Sequence, residues 1–143
     1  MLEGSYDVLG DGDQSINYAY SHDGFNLNDS NSFKSPPDCW HFATDYNGDE
    51  KRQEGAMKKQ IALTLLAKGT PMLQVGDVIA HSKGGDDNSY NKDDETNYLD
   101  FSITDTNSRK ARISDFTRKM IDFRKEHPEI RSGIYNKNIQ YFK

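Results

Sequence analysis

Residues 15–25 read SINYAYSHDGF, a stretch in which a strand-like segment runs directly into a polar loop. The β-branched and aromatic residues of 15–20 predict a short strand. A second predicted strand, TPMLQV at 70–75, is also followed by a polar stretch. The two loops, over 26–50 and about 80–97, are long, and loops of this length in a compact domain are usually functional or disordered.

A helix is predicted after the first loop and another after the second. The apolar residues of the first helix recur at every fourth position, at Met57, Ile61 and Leu65. Gly69 is expected to cap its C-terminus. The second helix is predicted over about 108–126, and His127–Pro128 ends it. Its apolar face contains Ile113, Phe116, Met120 and Phe123. This double repeat of strand, loop and helix predicts an α/β fold with parallel strands.

Composition excludes several classes of protein. The chain has 143 residues, of which 34% are hydrophobic, and its net charge of -5 argues against nucleic acid as a partner. The longest apolar stretch, residues 61–67, is too short to span a bilayer, so no membrane partner is expected. The single cysteine, Cys39, excludes an internal disulfide framework and a cysteine-based zinc site. Residues 1–4 lack the basic start and apolar run of a secretory signal, which favours a cytoplasmic protein.

The junction at 16–25, INYAYSHDGF, resembles a signature of the α-amylase superfamily of glycoside hydrolases. With Gly24–Phe25 directly after His22–Asp23, it is most similar to the isoamylase and glycogen-debranching enzymes. Later segments resemble, in order, the eighth barrel strand of that family, the loop after it and the eighth helix. These segments are Gly69–Asp77, Asp87–Asn91 with Leu99–Phe101, and Phe116–Pro128. The resemblance covers nearly all of residues 2–130.

The resemblance implies that residues 1–133 are the C-terminal quarter of a (β/α)8 TIM barrel, from strand seven to helix eight. Residues 134–143 resemble the start of the β-sandwich domain that follows the barrel in this family. A barrel also fits the pattern of elements, because parallel sheets are buried on both faces and two strands cannot form one alone. Barrel active sites lie on the loops after the strands, where this chain has its two long polar loops.

The chemistry implied by the resemblance is retaining hydrolysis of α-1,6-glucosidic branch points in glycogen or starch. One carboxylate attacks the anomeric carbon and a second protonates the leaving oxygen. The resemblance assigns Asp23 to a third role, as transition-state stabiliser, with His22 donating a hydrogen bond to a sugar hydroxyl at the same subsite. No residues match the nucleophile and acid motifs of strands four and five, so the chain alone is expected to be inactive. Val78 stands where relatives usually carry Glu after Gly-Asp.

Three further residues are candidates for substrate binding. Asn88 and Tyr90 match the family loop and either shape the substrate cleft or brace the loop. Trp40, in the first long loop, either stacks on a sugar face or pins the loop to the barrel. The His22–Asp23 pair also has a simpler interpretation, since Asp-Gly is common in tight turns.

No cofactor and no metal site are predicted. Calcium prefers several oxygen ligands. One acidic cluster offers such ligands for a structural calcium ion, and it consists of Asp86, Asp87, Asp93, Asp94 and Glu95. Its spacing fits no EF-hand, so a solvated loop is favoured.

Two alternatives stay open. The segment Ser89–Asn91 also resembles pullulanase, so a pullulanase or another superfamily member is the alternative among enzymes. A non-catalytic carbohydrate-binding or interaction module is the alternative from another class. The expected partners are a branched α-glucan and, for the open strand edges, either the remainder of the barrel or a second copy of the chain.

Overall fold

The computed structural model describes residues 15–35 and 43–130. Within these ranges the strands are β1 (Ile16–Asn17) and β2 (Thr70–Pro71). The α-helices of the same ranges are α1 (Leu27–Ser30), α2 (Glu50–Leu66) and α3 (Arg109–Glu126). Short 3₁₀ segments lie at Tyr46–Gly48, Val75–Ile79 and Pro128–Ile130. The predicted start of a β-sandwich domain at 134–143 lies outside the described residues.

The two strands pair in parallel, with Ile16 opposite Thr70. The Thr70 N–H donates to the Ser15 carbonyl at 2.8 Å, and the Met72 N–H donates to the Asn17 carbonyl at 2.8 Å. The ladder is much shorter than the strands predicted over 15–20 and 70–75. Each strand pairs along one edge only within the described residues, and a parallel pair without further strands gains little from extension.

The loop predicted over 26–50 contains regular structure that the sequence reading missed. Asn26 begins α1, because its side chain accepts a hydrogen bond from the Asp29 N–H at 2.9 Å. All residues of α1 are buried. Asp49 begins α2 in the same way and accepts from the Lys51 and Arg52 N–H groups at 3.1 Å each. Two side-chain caps therefore turn part of the predicted loop into helix.

Helix α2 carries the predicted apolar face. Met57, Ile61 and Leu65 are buried, and they form the core with two residues from the neighbouring helices, Leu27 and Ile113. The expectation that Gly69 caps the helix is wrong. The helix ends at Leu66 with Ala67 as its C-cap.

Arg124 of α3 explains this ending. Its guanidinium donates to the carbonyls of Leu65 at 2.5 Å, Ala67 at 2.9 Å and Gly69 at 2.5 Å. The last carbonyls of a helix have no partner within the helix. The buried Arg124 side chain of α3 therefore satisfies carbonyls at the end of α2, which a glycine C-cap was expected to do.

Helix α3 has the predicted bounds, with Ser108 as its N-cap and His127 as its C-cap. Its buried face differs at one position. Phe123 is exposed and lies against the His127 ring, whose centroid is 4.2 Å away. At about 100° per residue, Phe123 is turned some 80° from Ile113, whereas Arg124 is turned only about 20°. The buried stripe therefore continues to Arg124. No helix among the described residues is long and apolar enough to cross a membrane.

Candidate active site

The loops that follow β1 and β2 meet beside Asp23. The Gly24 N–H donates to the Asp87 carbonyl at 3.1 Å. Asp23, Gly24, Asp87 and Asn88 together line an open, polar depression of about 390 Å³. The carboxyl ends of two parallel strands thus bring Asp23 and Asn88 to one site.

The His22 and Asp23 side chains lie at the surface, 90% and 71% exposed. His22 Nε2 is 3.5 Å from Asp23 Oδ2. Gly24 has a φ of 76°, so the sharp turn favoured by Asp-Gly is present as well. The turn presents both side chains to solvent, where a ligand with hydroxyl groups can reach an acceptor and a donor together.

A buried carboxylate joins α1 to the segment after β2. Asp77 Oδ1 accepts from the Leu27 N–H at 3.1 Å, and Oδ2 accepts from the Gln74 N–H at 3.3 Å. The Asn26 amide also donates to the His81 carbonyl at 2.9 Å. Burial raises the pKa of Asp77 to about 6, although the hydrogen bonds from the Leu27 and Gln74 N–H groups favour the charged form.

A second buried carboxylate joins the same two elements, but here the acceptor lies in α1 and the donors lie in the segment after β2. Asp29, in α1, accepts from the Ser82 hydroxyl at 2.6 Å and from the N–H groups of Lys83 at 2.8 Å and Gly85 at 3.2 Å. Gly85 has a φ of 80°. A Cβ there would come within 3.2 Å of the Phe33 ring, so the backbone bends around the carboxylate only with glycine at this position.

Sequence reasoning missed both carboxylates as determinants of the site. Asp29 lies in a polar stretch, and Asp77 was assigned only to the end of a strand. One signal was available for Asp29. Asn26 with an acidic residue three positions later is typical of a helix N-terminus and could have predicted α1.

The remaining candidates are distributed differently. Tyr90 is 86% exposed and does not line the depression. Trp40 lies outside the described residues. Val78 lies in a groove beside Thr117 and Ile121 of α3. Asn88 is thus the one predicted substrate-binding residue among the described ranges that shares the depression with Asp23.

The acidic cluster is divided among separate contacts. Asp86 pairs with Lys92, and Asp94 accepts from the Thr96 N–H at 2.9 Å. Asp93 Oδ1 accepts from the Tyr98 hydroxyl at 3.2 Å. Within residues 15–35 and 43–130, no group of at least three histidine, cysteine or acidic side chains is arranged to hold a metal ion.

Proteins similar to this chain include isoamylase and glycogen debranching enzyme. The isoamylase of a Flavobacterium species is 31% identical over 149 residues, which cover 92% of this chain and 19% of that protein. The glycogen debranching enzyme of Pectobacterium atrosepticum is 28% identical over 146 residues, covering 85% of this chain and 20% of that enzyme. The chain therefore spans about a fifth of the length of these curated relatives. No family model matches it.

The similarity extends to fold. A structure of the pullulanase of Anoxybacillus sp. LM18-11 in complex with maltotetraose matches 99% of this chain and 19% of that enzyme. The TM-score is 0.76 and the sequence identity is 26%. A second structure of the same pullulanase gives the same TM-score of 0.76 at 25% identity.

Proposed function

Because this chain is a homologue of the isoamylases, pullulanases and glycogen-debranching enzymes of the α-amylase superfamily over most of its own length, we propose that it forms the strand-seven to helix-eight part of a debranching α-1,6-glucosidase barrel. Asp23 is the transition-state stabiliser of that enzyme, and His22 is a hydroxyl donor beside it. The observation that carries the proposal is the meeting of Asp23 and Asn88 in one depression at the ends of two parallel strands.

The geometry suits the role assigned to Asp23. In retaining hydrolysis the sugar ring distorts and develops positive charge, and hydrogen bonds to its hydroxyls strengthen in the transition state. The exposed Asp23 carboxylate can accept from such a hydroxyl, while the adjacent His22 ring can donate to a neighbouring one. The nucleophile and the general acid come, in this proposal, from the parts of the barrel that the relatives have beyond the matched fifth.

Exposed apolar side chains support a larger assembly around this segment. The side chains of Ile16, Tyr18, Met72 and Val75 are exposed along and beyond the two strands. An apolar groove runs beside β2 and is bordered by Leu65, Pro71, Leu73 and Ile121. Apolar surface of this extent needs cover. The remainder of the barrel is the cover we propose, and a second copy of the chain is the alternative.

The substrate class follows from the relatives' names. The matched proteins are an isoamylase and a glycogen debranching enzyme, and the matched structure holds maltotetraose. We therefore propose a branched α-glucan as substrate. Asn88 lines the depression beside Asp23 and contributes to binding it.

Replacing Asp23 with asparagine in the complete enzyme tests the proposal. We expect kcat on a branched α-glucan to fall on the order of 10²-fold or more, because a preorganised charge contact of the transition state is lost. KM should change far less, since the contact is weaker in the ground state. Asp115→Asn, an exposed change on α3 away from the depression, is the matched control. A near-normal kcat for Asp23→Asn would reduce Asp23 to a turn residue.

A further inference from the structure

We propose that Asp29 is a positioning residue of the candidate active site. Its buried carboxylate fixes the Ser82–Gly85 segment and thereby holds Asp87 and Asn88 against the His22–Asp23 turn. The importance of this arrangement for sugar binding rests on the proposed function, whereas the positioning itself can be measured without a ligand.

The contacts of Asp29 differ from those of an ordinary helix residue. The residue is fully buried, and both oxygens of its carboxylate accept hydrogen bonds. Two of the donors are backbone N–H groups, of Lys83 and Gly85, and the third is the Ser82 hydroxyl. The Ser82 oxygen in turn accepts from the Gly84 N–H at 3.0 Å. Hydrogen bonds to an ionised carboxylate are about twice as strong as those between neutral groups.

The clamp, meaning the Ser82–Gly85 segment held by the Asp29 carboxylate, ends directly beside the depression. Gly85 is followed by Asp86, whose side chain accepts from the Asn88 N–H at 2.9 Å. The next residue, Asp87, accepts from the Gly24 N–H at 3.1 Å. The depression has two walls, one at Asp23–Gly24 and one at Asp87–Asn88. The Asp87–Asn88 wall follows directly after the segment that the Asp29 carboxylate holds, and Asp87 contacts Gly24 of the first wall.

The other wall is also attached to Asp29. Asn26 follows the His22–Asp23 turn closely, and its side-chain oxygen accepts from the Asp29 N–H at 2.9 Å. Its amide donates to the His81 carbonyl, immediately before the clamped segment. Loss of the Asp29 charge should loosen the Ser82–Gly85 segment, and with it the Asp87–Gly24 contact, before it affects the core residues of α2 and α3, although α1 adds Leu27 to the same core.

Hydrogen exchange followed by mass spectrometry tests this on the chain as it is. In Asp29→Asn, which keeps the shape and loses the charge, exchange should accelerate about tenfold or more in peptides covering 82–88 and 22–25. A peptide covering 57–65 of α2 should exchange as in the unchanged chain. Asp49→Asn is the matched control, because Asp49 also accepts two N–H groups but caps α2. It should accelerate exchange only near 50–53.

Two results would overturn the proposal. Acceleration confined to 82–88, with 22–25 unchanged, would show that the clamp does not hold the walls together, and so would no change in either. If Asp29→Asn accelerates every peptide, Ser82→Ala decides, because it removes only the hydroxyl donor. Joint acceleration of 82–88 and 22–25 in Ser82→Ala, with 57–65 unchanged, supports positioning, and any other pattern rejects it.

Maltotetraose separates this proposal from the proposed function. The sugar should slow exchange at 22–25 and 86–88 of the unchanged chain, and Asp29→Asn should weaken that protection about tenfold in sugar concentration while Asp49→Asn leaves it unchanged. If the sugar protects nothing in the unchanged chain, residues 22–25 and 86–88 do not form a sugar site without the rest of the barrel. The coupling of the two walls would still stand on exchange alone.

Discussion

Replacing Arg124 with methionine should destabilise the chain far more than the same replacement of Arg118 on the same helix. Arg124 is 7% exposed and donates to carbonyls at the end of α2. Methionine keeps most of the apolar stem but removes every donor. Arg118 is 65% exposed and pairs with Asp115 and Asp122 at the surface. The two substitutions therefore compare a buried cap with an exposed ion pair.

The magnitude follows from the acceptors left behind. The Leu65 and Ala67 carbonyls are buried in their contacts with Arg124, whereas the Gly69 contact is only partly buried, so water can replace it. A buried acceptor left unsatisfied costs about 1–3 kcal/mol, so two of them predict a loss of about 2–6 kcal/mol in the free energy of unfolding. An exposed ion pair is worth about 0–1 kcal/mol, which limits the effect of Arg118→Met.

Urea denaturation followed by far-ultraviolet circular dichroism measures both changes. The midpoint for Arg124→Met should fall well below that of Arg118→Met, with a similar dependence on urea concentration. Equal midpoints for the two variants, or a loss below about 1 kcal/mol for Arg124→Met, would refute the idea that Arg124 supplies the C-terminal cap of α2.

Three further outcomes are expected. The purified chain should release no reducing ends from pullulan or glycogen, because retaining hydrolysis needs two flanking carboxylates, and release that is abolished by Asp23→Ala would contradict this. The free energy of unfolding should decrease between about pH 4 and pH 6 through Asp77, because its folded pKa of about 6 lies above the ordinary value of 3.8 and the folded state holds the proton longer. Asp77→Asn should remove up to about 3 kcal/mol of this pH dependence in urea titrations, and an identical pH dependence in both proteins would show that Asp77 does not cause it. Light scattering should find self-association through the exposed strand faces, and a clean monomer with a cooperative thermal transition would favour a stand-alone module.

Helices α2 and α3 were predictable because their signals are local. The spacing of Met57, Ile61 and Leu65 predicts the buried face of α2. Ser108 and Pro128 mark the two ends of α3. The meeting of Asp23 and Asn88 was also accessible from the sequence, since the ends of parallel strands share one edge of a sheet. The family resemblance found at residues 16–25 is confirmed by relatives that match most of the chain.

Three of the errors arise from contacts between residues that are distant along the chain. Gly69 has the residue type of a C-cap, yet the end of α2 is decided by Arg124, which no local pattern connects to it. The strand lengths depend on neighbours rather than on propensity. Asp29 and Asp77 look like ordinary loop acids, and only the folded chain shows that each accepts at least one N–H group from a segment about 50 residues away.

The one-turn helix α1 makes the candidate active-site edge depend on contacts between distant parts of the chain. A helix of this length cannot persist alone, because the cost of nucleation exceeds what one turn returns. Its hydrogen bonds join Leu27 to Asp77 and Asp29 to Ser82, which are 50 and 53 positions apart. The formation of α1 therefore depends on the segment after β2 being in place. Contacts between residues this far apart in sequence form slowly, whereas α2 and α3 can begin from local contacts. We therefore expect the edge that carries Asp23 to form only after α1 and the segment after β2 have come together.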